Sequence, residues 1–119
     1  MARVLICEAH DDISALLELV VRRLGHDPVS YAVGDAVGHV DVAVIEPGDP
    51  DALRLARELR ARQVPMLFTS IYPADDDLLE LAPEAYLVKP FPLYALERAL
   101  IAALADVSAA PPAPVSSAL

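Results

Sequence analysis

The sequence has a single cysteine, no tryptophan, four glycines, and only nine lysine and arginine residues among its 119. Each shortage excludes something. One thiol, Cys7, forms no disulfide within the chain, so the sequence calls for no oxidising compartment. The nine bases face 18 acids, for a net charge of -9. That sign argues against nucleic acid, whose phosphates are bound by excess Lys and Arg, and against an anionic membrane surface. No uninterrupted apolar run reaches the roughly 20 residues of a membrane-spanning helix. The opening Met1–Ile6 stretch is too short for the core of a signal peptide and runs straight into acids. The expectation is a cytoplasmic protein that touches neither membrane nor nucleic acid. Lysine is the scarcest charge: of the nine bases eight are arginine, and the one lysine is Lys89.

Hydrophobic residues make up 55% of the chain, enough for the core of one ordinary domain. Their spacing alternates between two periods. Val4–Cys7 is a short apolar run, read as a buried strand, and Ile13, Leu16, Leu17, Val20, Val21 and Leu24 then recur with helical period up to Gly25. A weaker strand follows at 28–33, then a stunted helix at 34–40. Asp41–Ile45 reads as the clearest strand and ends in the turn-rich segment Glu46-Pro47-Gly48-Asp49-Pro50. A helix over 51–63, a strand over 64–69, a short acidic helix over 74–81, a strand over 85–88 and a helix over 92–106 complete the series. The second and third of the five helices are expected to be short. Residues 1–106 form the domain, and 107–119, mostly Ala, Pro, Ser and Val, read as a disordered tail.

Short, continuously apolar strands alternating with helices predict an α/β fold with a parallel sheet covered on both faces. In doubly wound sheets the reactive site lies beyond the carboxyl ends of the strands. The residues there are an acid after the first strand (Glu8), an acid after the third (Glu46), a hydroxyl pair after the fourth (Thr69, Ser70) and a cation after the fifth (Lys89). A lysine and a hydroxyl suit a phosphoryl group or a carboxylate, and acids on one edge suit a hard cation. No glycine-rich phosphate loop follows the first strand, where Glu8-Ala9-His10 stands, which weighs against a nucleotide-type anion site.

The blocks Val4-Leu5-Ile6-Cys7-Glu8, Asp41-Val42-Ala43-Val44-Ile45-Glu46, Leu67-Phe68-Thr69-Ser70 and Ala85-Tyr86-Leu87-Val88-Lys89-Pro90-Phe91 resemble, in order, those of the CheY-like response-regulator receiver domains. The last block, with a tyrosine three residues before Lys-Pro-Phe, is the most specific. The resemblance covers residues 2–106. It implies a five-stranded parallel sheet in the flavodoxin-like order 2-1-3-4-5. It also implies a phosphoacceptor at Glu46, a switch pair of Thr69 and Tyr86, an anion contact at Lys89, and an acidic pocket of Glu8, Asp11 and Asp12.

Two departures mark a degenerate receiver, or pseudo-receiver. The acceptor aspartate is replaced by Glu46, whose extra methylene moves the carboxylate by about one bond length, and in-line phosphoryl transfer is sensitive to such displacements. The second of the two acids that help hold magnesium is Ala9, which leaves Glu8 and Glu46 as the only candidates for a cation; weak or absent magnesium binding is expected, and no cofactor. Glu46 has two readings. It either pairs with Lys89 or Thr69 and holds an active-like state, or it is a solvated loop acid in a retired site. The function expected is bacterial two-component signalling by protein contact, with no enzymatic activity and no phosphorylation by the usual aspartyl route. The alternative is a receiver competent in magnesium-dependent phosphotransfer. Partners expected are proteins, a histidine kinase or another regulator among them, and a homodimer through the face of the fourth helix, fifth strand and fifth helix. The run Asp75-Asp76-Asp77 with Glu80, and the arginines at 54, 57, 60 and 62, read as solvated helix faces.

Overall fold

Strands that are apolar at every position must be covered on both sides, and that requirement organises the chain. The computed structural model describes residues 1–109, with side chains described as far as 105. Five parallel strands, β1 (Arg3–Cys7), β2 (Asp27–Ser30), β3 (Val42–Ile45), β4 (Met66–Ser70) and β5 (Ala85–Val88), form one sheet in the order β2-β1-β3-β4-β5. Among the described residues the helices are α1 (Asp11–Arg23), α2 (Pro50–Ala61), α3 (Asp76–Leu79) and α4 (Leu93–Ala109). This is the five-stranded doubly wound sheet that the strand pattern predicts.

Alternation along each strand splits the core into two layers. Val4, Ile6, Val42, Val44 and Leu67 pack on one side against Leu17, Val20 and Val21 of α1 and Leu96, Leu100 and Ala103 of α4. Leu5, Ala43, Ile45, Met66 and Phe68 pack on the other against Ala52, Leu55, Ala56 and Leu59 of α2. Register carries the order across the sheet: Ile6 lies beside Val44 and Cys7 beside Ile45, while Thr69 lies beside Leu87. The strands therefore end together along one edge.

The helices depart from expectation in three places. No helix forms over 34–40, where a stunted one is predicted. Gly34 adopts a positive φ of 92°, and the segment is about two turns at most, too short to offset the cost of starting a helix. Its carbonyls are met from outside: the Arg62 guanidinium donates to the carbonyls of Val37 and Gly38 at 3.1 and 2.7 Å. The next helix, α2, is a regular 12-residue helix. Asp49 caps it, accepting from the Ala52 amide at 2.9 Å, and Pro50 occupies the first turn. The short acidic helix expected over 74–81 is α3, reduced to four residues with no buried side chain. Finally, α4 runs through Ala109, so 107–109 continue the helix where a tail is predicted; the remainder of that tail, 110–119, lies outside the described residues.

Candidate functional site

The side chains at the carboxyl edge are positioned by the same alternation that builds the core. Glu8, Glu46, Thr69 and Lys89 each stand two residues beyond an apolar residue of the α1–α4 layer: Ile6, Val44, Leu67 and Leu87 respectively. Sequence spacing thus assigns all four to one side of the sheet edge.

What they touch divides them. Lys89 Nζ donates to Glu8 Oε1 at 2.7 Å. The Glu8 side chain is 1% exposed and that of Lys89 14%, so this is a buried ion pair. The second carboxylate oxygen, Oε2, accepts from the His10 backbone N–H and lies 3.2 Å from His10 Nδ1. Burial pushes the Glu8 carboxyl up, but the hydrogen bonds from Lys89 and His10 and the lysine charge outweigh it, and the net position is below the ordinary carboxylate value.

Glu46 is half-buried and turns the other way. Its Oε1 accepts from the Gly48 amide at 2.8 Å. The fit is close: a Cβ on Gly48 would collide with Glu46 Oε1. Gly48 therefore lets the carboxylate fold back onto its own loop. Among the described contacts Glu46 reaches neither Lys89 nor Thr69.

Thr69 is 1% exposed, and its Oγ1 finds no hydrogen-bond partner among the described residues. The neighbouring Ser70 Oγ accepts from the Tyr72 amide at 3.1 Å. Tyr86 packs edge-on against Phe68, with ring centroids 6.4 Å apart, and its hydroxyl donates to the Tyr72 carbonyl at 2.9 Å. The two switch residues thus stand on adjacent strands with no hydrogen bond between them. Asp11 and Asp12 are exposed in the first turn of α1, where acids favour the positive end of the helix.

A cleft of about 100 Å³ opens beside the site, with Cys7, Glu8, Ala9, Glu46, Asp49 and Asp51 on its walls. Asp49 and Asp51, rather than Asp11 and Asp12, complete its acidic lining. Sequence reasoning missed both. The available signal was position, since both follow Glu46 closely in the loop leading into α2. The Cys7 thiol is pushed up to about 11 by its burial and then by the charges of Asp49, Glu8 and Glu46.

The donor set does not match a magnesium site. Ala9 offers no oxygen, both oxygens of Glu8 are engaged by Lys89 and His10, and among the described residues no three His, Cys, Asp or Glu side chains are placed to share an ion.

The sheet order and strand-end residues define a receiver-domain fold. Solved structures agree. A receiver protein from Burkholderia phymatum superposes with a TM-score of 0.75 at 20% identity, over 88% of this chain and 96% of its own. A two-component response regulator from Clostridium difficile gives 0.76 at 20% identity, over 88% and 97%. A sensor protein from Polaromonas sp. JS666 gives 0.72 at 26% identity, over 89% and 98%. No family model and no curated protein sequence matches the chain.

Proposed function

We propose that this domain is a receiver-like signalling module that works through protein contact and is not phosphorylated by the usual aspartyl route. The observation that carries the reading is the division of the site: the one lysine is committed to a buried Glu8, and Glu46 is committed to the Gly48 amide. Phosphoryl transfer needs an acceptor held in line, with cations ready to take up the developing charge. Here the cation is neutralised by a neighbouring acid and the acceptor oxygen is turned onto the backbone. The same commitments support weak or absent magnesium binding and no enzymatic role.

Of the two readings of Glu46, the geometry favours a retired site, because the Glu46–Lys89 or Glu46–Thr69 contact that an active-like lock requires is not made. The observation on the side of phosphotransfer is Thr69, whose buried hydroxyl has a free hydrogen-bonding capacity beside the site. Protein partners would meet the α3–β5–α4 face, where Val88, Leu93, Tyr94 and Ile101 are exposed. The kinship of fold with response regulators, and with the Polaromonas sensor protein, supports a place in two-component signalling. Incubation with acetyl phosphate and magnesium, followed by intact-mass measurement, tests this. Unmodified protein is expected; a phosphoryl adduct mapped to Glu46 would overturn the reading.

A further inference from the structure

Two surfaces apart from the Glu8–Lys89 and Glu46–Gly48 contacts carry matching features. The first is the outer face of α1. Asp12, Leu16, Leu19 and Arg23 are spaced i, i+4, i+7 and i+11, which places them in one stripe along the helix. All four are exposed, Leu16 by 40% and Leu19 by 52%. Arg22 flanks the stripe, and among the described residues neither Arg22 nor Arg23 forms a salt bridge. The stripe thus reads acid, leucine, leucine, base, over about 16 Å at the usual helical rise.

The second surface is a groove of about 610 Å³ between α2 and α3. It exists because α3 is a single turn that buries none of its side chains. Its apolar wall is made by Leu53, Leu78 and Leu81, all half-buried, and its charged rim by Arg57, Asp77 and Glu80. Among the described residues none of these three charges is paired within the chain. Two neighbouring arginines are satisfied internally, Arg54 of α2 by Asp51 at 2.8 Å and Arg62, just past its end, by Glu58 at 3.3 Å. The groove therefore presents leucines rimmed by a base from α2 and acids from the α3 side, charges of both signs that can pair with those at the two ends of the α1 stripe.

We propose that the occupant of this groove is α1 of a second copy of the chain. Leu16 and Leu19 lie against Leu53, Leu78 and Leu81; Arg22 and Arg23 meet Asp77 and Glu80; Asp12 meets Arg57. The exposed leucines lose water on docking, and the charges at the two ends of the stripe meet opposite charges on the groove rim. Because α1 and α2 cover opposite faces of the sheet, each copy keeps one free groove and one free stripe after a single contact. The association is therefore head-to-tail and does not close at two. An isologous dimer through the α3–β5–α4 face would saturate at two. The inference uses neither Glu46 nor Lys89, so its failure would leave the reading of the strand-end site untouched.

Sedimentation velocity of the full chain over a range of concentrations at low salt tests it, with two variants. One carries Arg22→Glu and Arg23→Glu, the other Asp77→Arg and Glu80→Arg. All four positions are exposed, and far-UV circular dichroism checks that each variant is folded. For the native chain, mass is expected to rise with concentration past two copies and to fall on adding salt. Each variant alone is expected to stay monomeric, and an equimolar mixture to associate again past two copies, since native stripes meet native grooves and reversed stripes meet reversed grooves. Both variants remain net negative, so general attraction between them cannot mimic that recovery. A native chain that stays monomeric would overturn the inference and leave the groove to a different protein. So would a dimer that saturates at two, association unaffected by the reversals, or a mixture that fails to recover.

Discussion

Glu8 and Glu46 follow neighbouring strands on the same sheet edge, yet they are held in opposite ways. Glu8 is out of solvent, and its charge is matched by an ammonium and a backbone amide. Glu46 is half in solvent and is satisfied by one amide two residues along its own loop. A buried carboxylate is tolerated only with partners, whereas one within reach of water needs little. The lysine therefore goes to the acid that cannot do without it. Retaining the right residue types at a site does not fix their pairing; burial does.

That contrast can be broken experimentally. The largest effect is expected from Lys89→Met, which leaves the Glu8 charge buried without its ammonium: a loss of about 3–5 kcal/mol in urea denaturation. Glu46→Gln should stay within about 0.5–1 kcal/mol of the native chain, since it removes a partly solvated charge. If the two substitutions cost the same, the contrast is lost.

A second effect comes from Cys7, which lies between the two acids. With its thiol raised from 9.0 to about 11, the thiolate fraction near pH 8 is about a hundredfold below that of a free cysteine. Alkylation by iodoacetamide in the native state should be slower by a comparable factor and should recover on unfolding. Rapid native labelling would show the pocket to be more open or less acidic than described.

Acid titration reads the Glu8 pair directly. The Glu8 carboxyl is lowered in the folded state from its usual 4.5. Below that value the unfolded chain binds more protons than the folded one, so stability rises with pH there. The contribution is present above about 4.5 and is lost as pH falls through the lowered folded value. Glu8→Gln should flatten this limb of the stability curve.

The smallest effect belongs to Gly48→Ala. Its φ is not positive, so the backbone accepts alanine, but the new Cβ displaces the Glu46 carboxylate. Because that group is the end of a flexible side chain, a cost under about 1 kcal/mol is expected, equivalent to one hydrogen bond. The shift should appear as a changed amide resonance at position 48 with little change in thermal midpoint.

Much of the fold was legible because the central strands are short and mostly apolar. Val42–Ile45 and Met66–Ser70 are buried at every position, and a continuous apolar run of that length identifies a two-faced strand. The start of α2 was legible to within one residue: the helix expected from 51 begins at Pro50, with Asp49, read as part of the turn, as its cap. The segment 34–40 was not legible, because what replaces its helix is a guanidinium 24 residues away in sequence. Lys89 was legible as the site's cation, since it is the one lysine in an arginine-using chain. Its choice of partner was not: Glu8 lies 81 residues away, Glu46 is on the next strand, and only the relative burial of the two acids decides between them.

The lone lysine also supplies the most direct test. Its ammonium gives a single side-chain ¹⁵N resonance, observable without assignment. The account predicts that Glu8→Gln shifts this resonance and speeds its proton exchange, while Glu46→Gln leaves both unchanged. A resonance that responds to Glu46→Gln and ignores Glu8→Gln would contradict it, and would return Lys89 to the acceptor position.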